Sequence, residues 1–102
     1  MRLALIHVLC KDDKEAQTIS KQLLDKRLVA CTNFFSATSN YFWKQELQEE
    51  QETVLLLKTL PELVEQARKE ILNIHSYETA YVASFFVEVT DAYGQWVLEQ
   101  TT

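Results

Sequence analysis

Residues 28–59 read LVACTNFFSATSNYFWKQELQEEQETVLLLKT. Two apolar runs flank one polar, carboxylate-rich segment, the pattern of a long β-hairpin. Leu28–Phe35 reads as a strand with Val29, Cys31, Asn33 and Phe35 on one face and Ala30, Thr32 and Phe34 on the other. Ser36–Asn40 is polar and turn-like, which predicts a bend or bulge. Tyr41-Phe42-Trp43 resumes strand character, with Tyr41 and Trp43 on one face. Lys44–Gln51 is expected to carry the turn, and the acidic run Glu46–Glu52 to form its solvated tip. Glu52–Lys58 then returns.

Working outward, Arg2–Cys10 is almost continuously apolar, as in a strand buried on both faces; His7 is its one polar interior residue. Asp12 and Glu15 form a capping-box pattern ahead of a helix whose apolar stripe is Ala16, Ile19, Leu23 and Leu24 and which ends near Lys26-Arg27. After the hairpin, Thr59-Leu60-Pro61-Glu62 reads as a second helix start, with Thr59 capping and proline in the first turn. Val64, Ala67, Ile71 and Ile74 share one helical face. Ser76–Thr79 is a loop, Tyr81–Val89 a fourth strand, and Asp91–Gln100 a short terminal helix contributing Trp96 and Val97. The order β-α-β-β-α-β plus a helix predicts one α+β domain over residues 1–102, a ferredoxin-like sandwich. Its helices cover one face of the sheet. The strands are apolar on both faces, so the other face requires a cover, and self-association supplies one.

Composition narrows the function classes. The net charge is −5, and ten Lys and Arg stand against fifteen Asp and Glu. Neither nucleic acid nor an anionic membrane is expected as partner, because both require a basic footprint. There is one glycine, Gly94, near the C-terminus. A glycine-rich phosphate loop is therefore absent. The apolar N-terminal run is too short to span a membrane and lacks a small-residue cleavage site. Cys10 and Cys31 lie within apolar runs and read as free thiols in a reducing compartment, so a cytoplasmic location is expected. No glycine-rich elbow or carboxylate pair suggests an enzyme.

Five short motifs occur in register: Val29-Ala30-Cys31-Thr32-Asn33, Ser39-Asn40-Tyr41-Phe42-Trp43, Leu57-Lys58-Thr59, His75-Ser76-Tyr77-Glu78-Thr79, and Tyr93 with Trp96. Over roughly residues 3–99 they resemble the CutA divalent-cation-tolerance family. The resemblance implies a ferredoxin-like protomer similar to PII signalling proteins, a tight homotrimer joined through its long hairpin strands, and a link to tolerance of copper and other divalent cations. Tyr41, Trp43, Glu52 and Trp96 are then expected at the trimer interface. The family's usual Trp-x-Gly reads Trp43-Lys44-Gln45 here, its His-Pro-Tyr-Glu reads His75-Ser76-Tyr77-Glu78, and Ala80 stands where a proline commonly follows.

The resemblance also implies metal ligands at Cys10 and His75, with Glu78 or another subunit as a third source. Thiolate suits Cu(I) or Zn, and imidazole suits Cu, Zn and Ni; the alternative for each is a packed thiol and a structural histidine. Glu78 could equally form a loop salt bridge. Lys58 and Tyr77 are candidates for lining an intersubunit cleft. Lys58 and Glu52 share a strand face, and an interfacial ion pair between them is expected. His7 reads as a satisfied core or interface histidine, and Cys31 and Asn33 as packing residues. A second functional reading is a PII-like regulatory trimer that binds a small anionic metabolite in its clefts and signals to a partner protein.

Overall fold

A computed structural model describes residues 1–102. The elements are β1 (Arg2–Cys10), α1 (Asp13–Asp25), β2 (Cys31–Trp43), β3 (Glu46–Thr59), a 3-10 turn (Pro61–Leu63), α2 (Val64–Ile74), β4 (Val82–Glu88) and α3 (Asp91–Gln100). They form the expected ferredoxin-like α+β sandwich, with one antiparallel sheet in the order β2-β3-β1-β4. No helix is long and apolar enough to cross a membrane.

The alternation of β1 decides the layers. Ala4, Ile6, Val8 and Cys10 are fully buried, while Leu5, His7 and Leu9 between them are only partly covered. The first set lies beneath α1 and α2, where Ile6, Val8, Leu55 and Leu57 meet Ala16, Ile19, Leu23, Ala67 and Ile71 in the main core. Leu24 of the predicted α1 stripe is exposed, and Ser20 takes a buried place instead. α3 closes a smaller core of Leu3, Ala30, Leu60 and Val97. Its Val97 is buried as expected, whereas Trp96 is exposed. Gly94 is needed there because a Cβ would lie 2.8 Å from the Met1 Cβ.

The hairpin is longer and more regular than its sequence suggested. β2 and β3 pair without interruption from Cys31↔Lys58 to Trp43↔Glu46. No bulge interrupts Ser36–Asn40, because each of those residues has a cross-strand partner. Glu46–Glu52 is strand, and the turn is Lys44-Gln45 alone. β1 reaches β3 only as far as Cys10↔Thr53. Residues 37–52 therefore project beyond β1 as a two-stranded ribbon, and the molecule measures 46 × 24 × 20 Å. At about 3.3 Å per residue a strand of this length spans that long axis by itself.

Two helix ends also differ. Thr59 does not cap α2; it ends β3 and donates its hydroxyl to the Leu28 carbonyl at 2.6 Å. The Leu60-Pro61 sequence opens the 3-10 turn with no side-chain cap. α1 ends in a Schellman-type closure, with Leu28 N–H on the Leu23 carbonyl at 3.0 Å and Arg27 at φ 59°. Glycine is the usual residue there.

Lys44 and Gln45 have φ of 50° and 70°, the sign that a two-residue type I′ turn imposes at both positions. Non-glycine residues are strained in that region by about 1–2 kcal/mol each. Gln45→Gly is therefore expected to stabilise the fold by about 1 kcal/mol, because glycine adopts positive φ without steric strain. Urea unfolding checks this; an unchanged or lower midpoint contradicts it.

Candidate functional site

The C-terminal end of β1, the start of α1 and the loop after α2 converge, because β1 runs directly into α1 and α2 returns antiparallel beside it. This convergence places Cys10, Glu15 and His75 with one ligand atom each, all within 4.8 Å of one another. Cys10 is fully buried at the strand end rather than emerging from it. The His75 and Glu15 side chains are 1% and 7% exposed.

The carboxylate and the imidazole here already have protein partners. Asp12 caps α1 by accepting the Glu15 N–H at 2.8 Å, and Glu15 Oε1 accepts the Lys11 N–H at 2.9 Å. The Asp12 half of the predicted capping box is formed, but Glu15 reaches one residue further back, to the Lys11 amide rather than that of Asp12. Glu15 Oε2 accepts the Ser76 N–H at 2.9 Å, which ties the loop to α1. His75 Nδ1 accepts the Tyr77 N–H at 3.1 Å, so Nε2 carries the proton and donates to the Leu9 carbonyl at 2.8 Å. The carboxylate oxygens keep spare lone pairs. The imidazole does not, so coordination by Nδ1 requires release of the Tyr77 amide.

The electrostatics follow from burial. Burial, reinforced by the carboxylates of Glu15, Asp12 and Glu52, pushes the Cys10 thiol up to about 12. Burial alone would raise Glu15 as well, but its hydrogen bonds from Ser76 and Lys11 and the nearby His75 hold it below the ordinary carboxylate value. A neutral thiol is the resting state of Cys10, and a cation binding there must displace its proton.

Of the three predicted ligands, the structure brings Cys10 and His75 together and leaves Glu78 outside the group, exposed on the loop. Glu15 takes the third place. Its capping-box signature concealed it, because a glutamate at that helical position has a complete structural explanation. A cavity of about 770 Å³ lies next to this group and opens between the ribbon and the 76–81 loop, with Tyr41, Trp43, Glu52, Tyr77 and Glu78 on its walls. Tyr77 donates its hydroxyl to Glu52 Oε2 at 2.8 Å, and burial with that carboxylate beside it raises the phenol.

Lys58 is not in this cavity and does not pair with Glu52. Its ammonium donates to Asn33 Oδ1 at 2.7 Å and lies 3.9 Å from Cys31 Sγ. Strand register explains the separation, since Lys58 stands opposite Cys31 while Glu52 stands opposite Ala37. His7 is less satisfied than expected. Its Nδ1 faces the Tyr81 hydroxyl at 3.4 Å, and Nε2 is buried without a partner.

Comparison with known proteins is consistent across the chain. The family model described as CutA1 divalent ion tolerance protein matches residues 4–100. The divalent-cation tolerance protein CutA of Thermotoga maritima is 33% identical over 98 residues, covering 95% of this chain and 97% of that protein. Human protein CutA is 35% identical over 96 residues, which span 92% of this chain and 54% of the longer human chain. Among solved structures, the divalent ion tolerance protein CutA1 of Ehrlichia chaffeensis superposes with a TM-score of 0.95 at 33% identity, covering 98% of this chain and 95% of its own.

The Glu15 carboxyl ionises more readily in the folded chain than in the unfolded one. Its stabilisation is complete above the unfolded value near 4.5 and is lost as pH falls through the lower folded value. Glu15→Gln is expected to lower stability at pH 7 by about 1–3 kcal/mol through its ionic hydrogen bonds. It should also flatten the acid limb of a thermal-unfolding profile. An acid limb identical to wild type contradicts the assignment.

Proposed function

Because the chain belongs to the CutA1 divalent ion tolerance family, we propose that it acts in divalent-cation tolerance by binding the cation at Cys10, Glu15 and His75. The observation that carries this reading is the convergence of one sulfur, one nitrogen and one oxygen ligand within 4.8 Å. Thiolate and imidazole together favour copper or zinc over the hard alkaline-earth ions, and copper is the foremost candidate. The ligands stand at the root of the 76–79 loop. Cation binding that draws on His75 Nδ1 therefore loosens the Tyr77 amide and couples occupancy to the loop's position.

We further propose that the protein works as a homotrimer in the cytoplasm. Two features support assembly. The sheet face away from α1 and α2 carries Phe35, Tyr81 and Phe85, all about half exposed. The ribbon carries exposed apolar side chains on both sides, with Phe42 at 73% and Leu47 at 68% exposure on one and Tyr41 and Trp43 on the other. A two-stranded ribbon is marginal alone in water, and patches of this kind mark interaction surfaces. A regulatory trimer holding an anionic metabolite is less well supported, since within one protomer the cavity beside the ribbon has three carboxylates and no basic residue on its walls.

Titration calorimetry with copper and zinc should show chelator-reversible binding, weakened about tenfold or more in Cys10→Ser, the scale on which a lost ligand or its support acts. Unchanged affinity in Cys10→Ser and Glu15→Gln removes these ligands. Phe35→Glu, at an exposed position, should shift sedimentation toward monomer with secondary structure retained; an unaltered sedimentation coefficient counts against assembly through this face.

A further inference from the structure

His7 stands midway along β1 on the sheet face away from α1 and α2, between Leu5 and Leu9. The residue is only partly covered, yet its Nε2 is buried and has no hydrogen-bond partner. Nδ1 meets the Tyr81 hydroxyl at 3.4 Å, and the two rings lie edge to face with centroids 4.9 Å apart. In the neutral ring Nε2 is either a bare acceptor or a single N–H donor. In the imidazolium it must be a donor and must carry charge. A buried charge without a partner is far more costly than a buried neutral group.

The surroundings supply no counter-charge. Leu56 of β3 and Ala83 of β4 stand directly opposite His7. The β3 row on this face runs through Val54 to Glu52 in one direction and to Lys58 in the other. Glu52 lies beyond Val54 and accepts the Tyr77 hydroxyl. Lys58 is diagonal to His7, opposite Leu5; it is itself a cation and donates to Asn33 of β2. The other titratable groups on this face are Cys31 of β2, Tyr81 just ahead of β4, and Tyr93 of α3, which hydrogen-bonds Cys31. Glu78, in the loop that carries Tyr81, is exposed. His7 takes part in none of the protein's ion pairs.

This is the face that carries the half-exposed Phe35 and Phe85 and that self-association would cover. We propose that His7 makes assembly sensitive to pH: the neutral ring is admitted to the covered face, and its protonation loosens the contact. The proposal rests on the assembly reading above. Separated chains hydrate the charged ring, so they bind more protons than the assembly does, and the state that binds more protons gains as pH falls. Assembly is therefore firm above the ordinary imidazole range and weakens as pH falls through it. In a closed symmetric assembly the change is repeated once per copy.

Urea-induced dissociation of the full chain, followed by size-exclusion chromatography with light scattering at about pH 8 and about pH 5.5, tests this across the imidazole range and above that of ordinary carboxylates. The wild-type oligomer should come apart at lower urea at the acid end. Its dissociation constant should rise by up to about tenfold for each ring, because the acid end lies about one unit below the ordinary imidazole value. His7→Leu and His7→Gln are uncharged at both ends and should lose most of that difference. Leucine suits an apolar face and glutamine keeps a polar group, so a folding defect in one leaves the other as the test. The protein's other histidine, His75, is kept in every variant, and its own titration cancels in the comparison. A chain already monomeric at the alkaline end overturns the assembly reading and this proposal with it. An oligomer with the same urea midpoint at both ends, or an acid loss that persists in both variants, overturns the proposal alone.

Discussion

The uninterrupted pairing of Cys31–Trp43 with Glu46–Thr59 is the constraint on which the molecule depends. A bulge anywhere in that ladder would move every residue beyond it to the opposite face. Tyr41 and Trp43 would then leave the open face, and Phe42 would replace them. The register also sets Glu52 beyond the end of β1, where no third strand covers it and Tyr77 can reach it from the far side of the sheet. The proposed cation ligands depend on the same ladder less directly, because β3 holds β1 in place and β1 delivers Cys10.

The 76–81 loop is the second organising element. It is pinned by His75 to the Leu9 carbonyl, by Glu15 to the Ser76 amide and by Tyr77 to Glu52. A loop without its usual prolines thus acquires order from three tertiary hydrogen bonds rather than from backbone stiffness. Those bonds run through His75 and Glu15, which are also proposed ligands. The proposed cation binding and the loop position therefore share the same atoms, and the cavity beside the ribbon has this loop as one wall.

The hairpin illustrates how far local rules can be overridden. Neither Lys44 nor Gln45 favours positive φ, yet both adopt it. Thirteen cross-strand pairs fix where the chain must reverse, and the turn conforms. The acidic run Glu46–Glu52 reads locally as a solvated tip. It becomes strand because Phe42, Leu47 and their neighbours pair across it, and sheet pairing outweighs the weak β-propensity of glutamate.

The element order and the two-layer sandwich were legible from residue pattern alone, since periodicity reports which side of an element leaves water; β1, which reads as buried on both faces, is fully buried only on its Ala4, Ile6, Val8 and Cys10 face within the protomer. Family membership was legible from five motifs in register. Cys10 and His75 were legible as ligand candidates by that resemblance. The third ligand was not. Glu15 has a sufficient local explanation as a helix cap, and its approach to His75 joins residues sixty positions apart, a proximity set by the packing of α1 against α2. Within one protomer Lys58 meets Asn33 rather than Glu52 for a related reason: a shared strand face says which residues point the same way, while the register of the adjoining strand decides which of them meet. The cavity between the ribbon and the 76–81 loop is likewise a product of tertiary structure, because its aromatic and acidic walls come from segments distant in the chain. Sequence determines the faces, through short-range periodicity and burial; the juxtaposition of distant side chains belongs to the packed fold, which alone fixes distances across the chain.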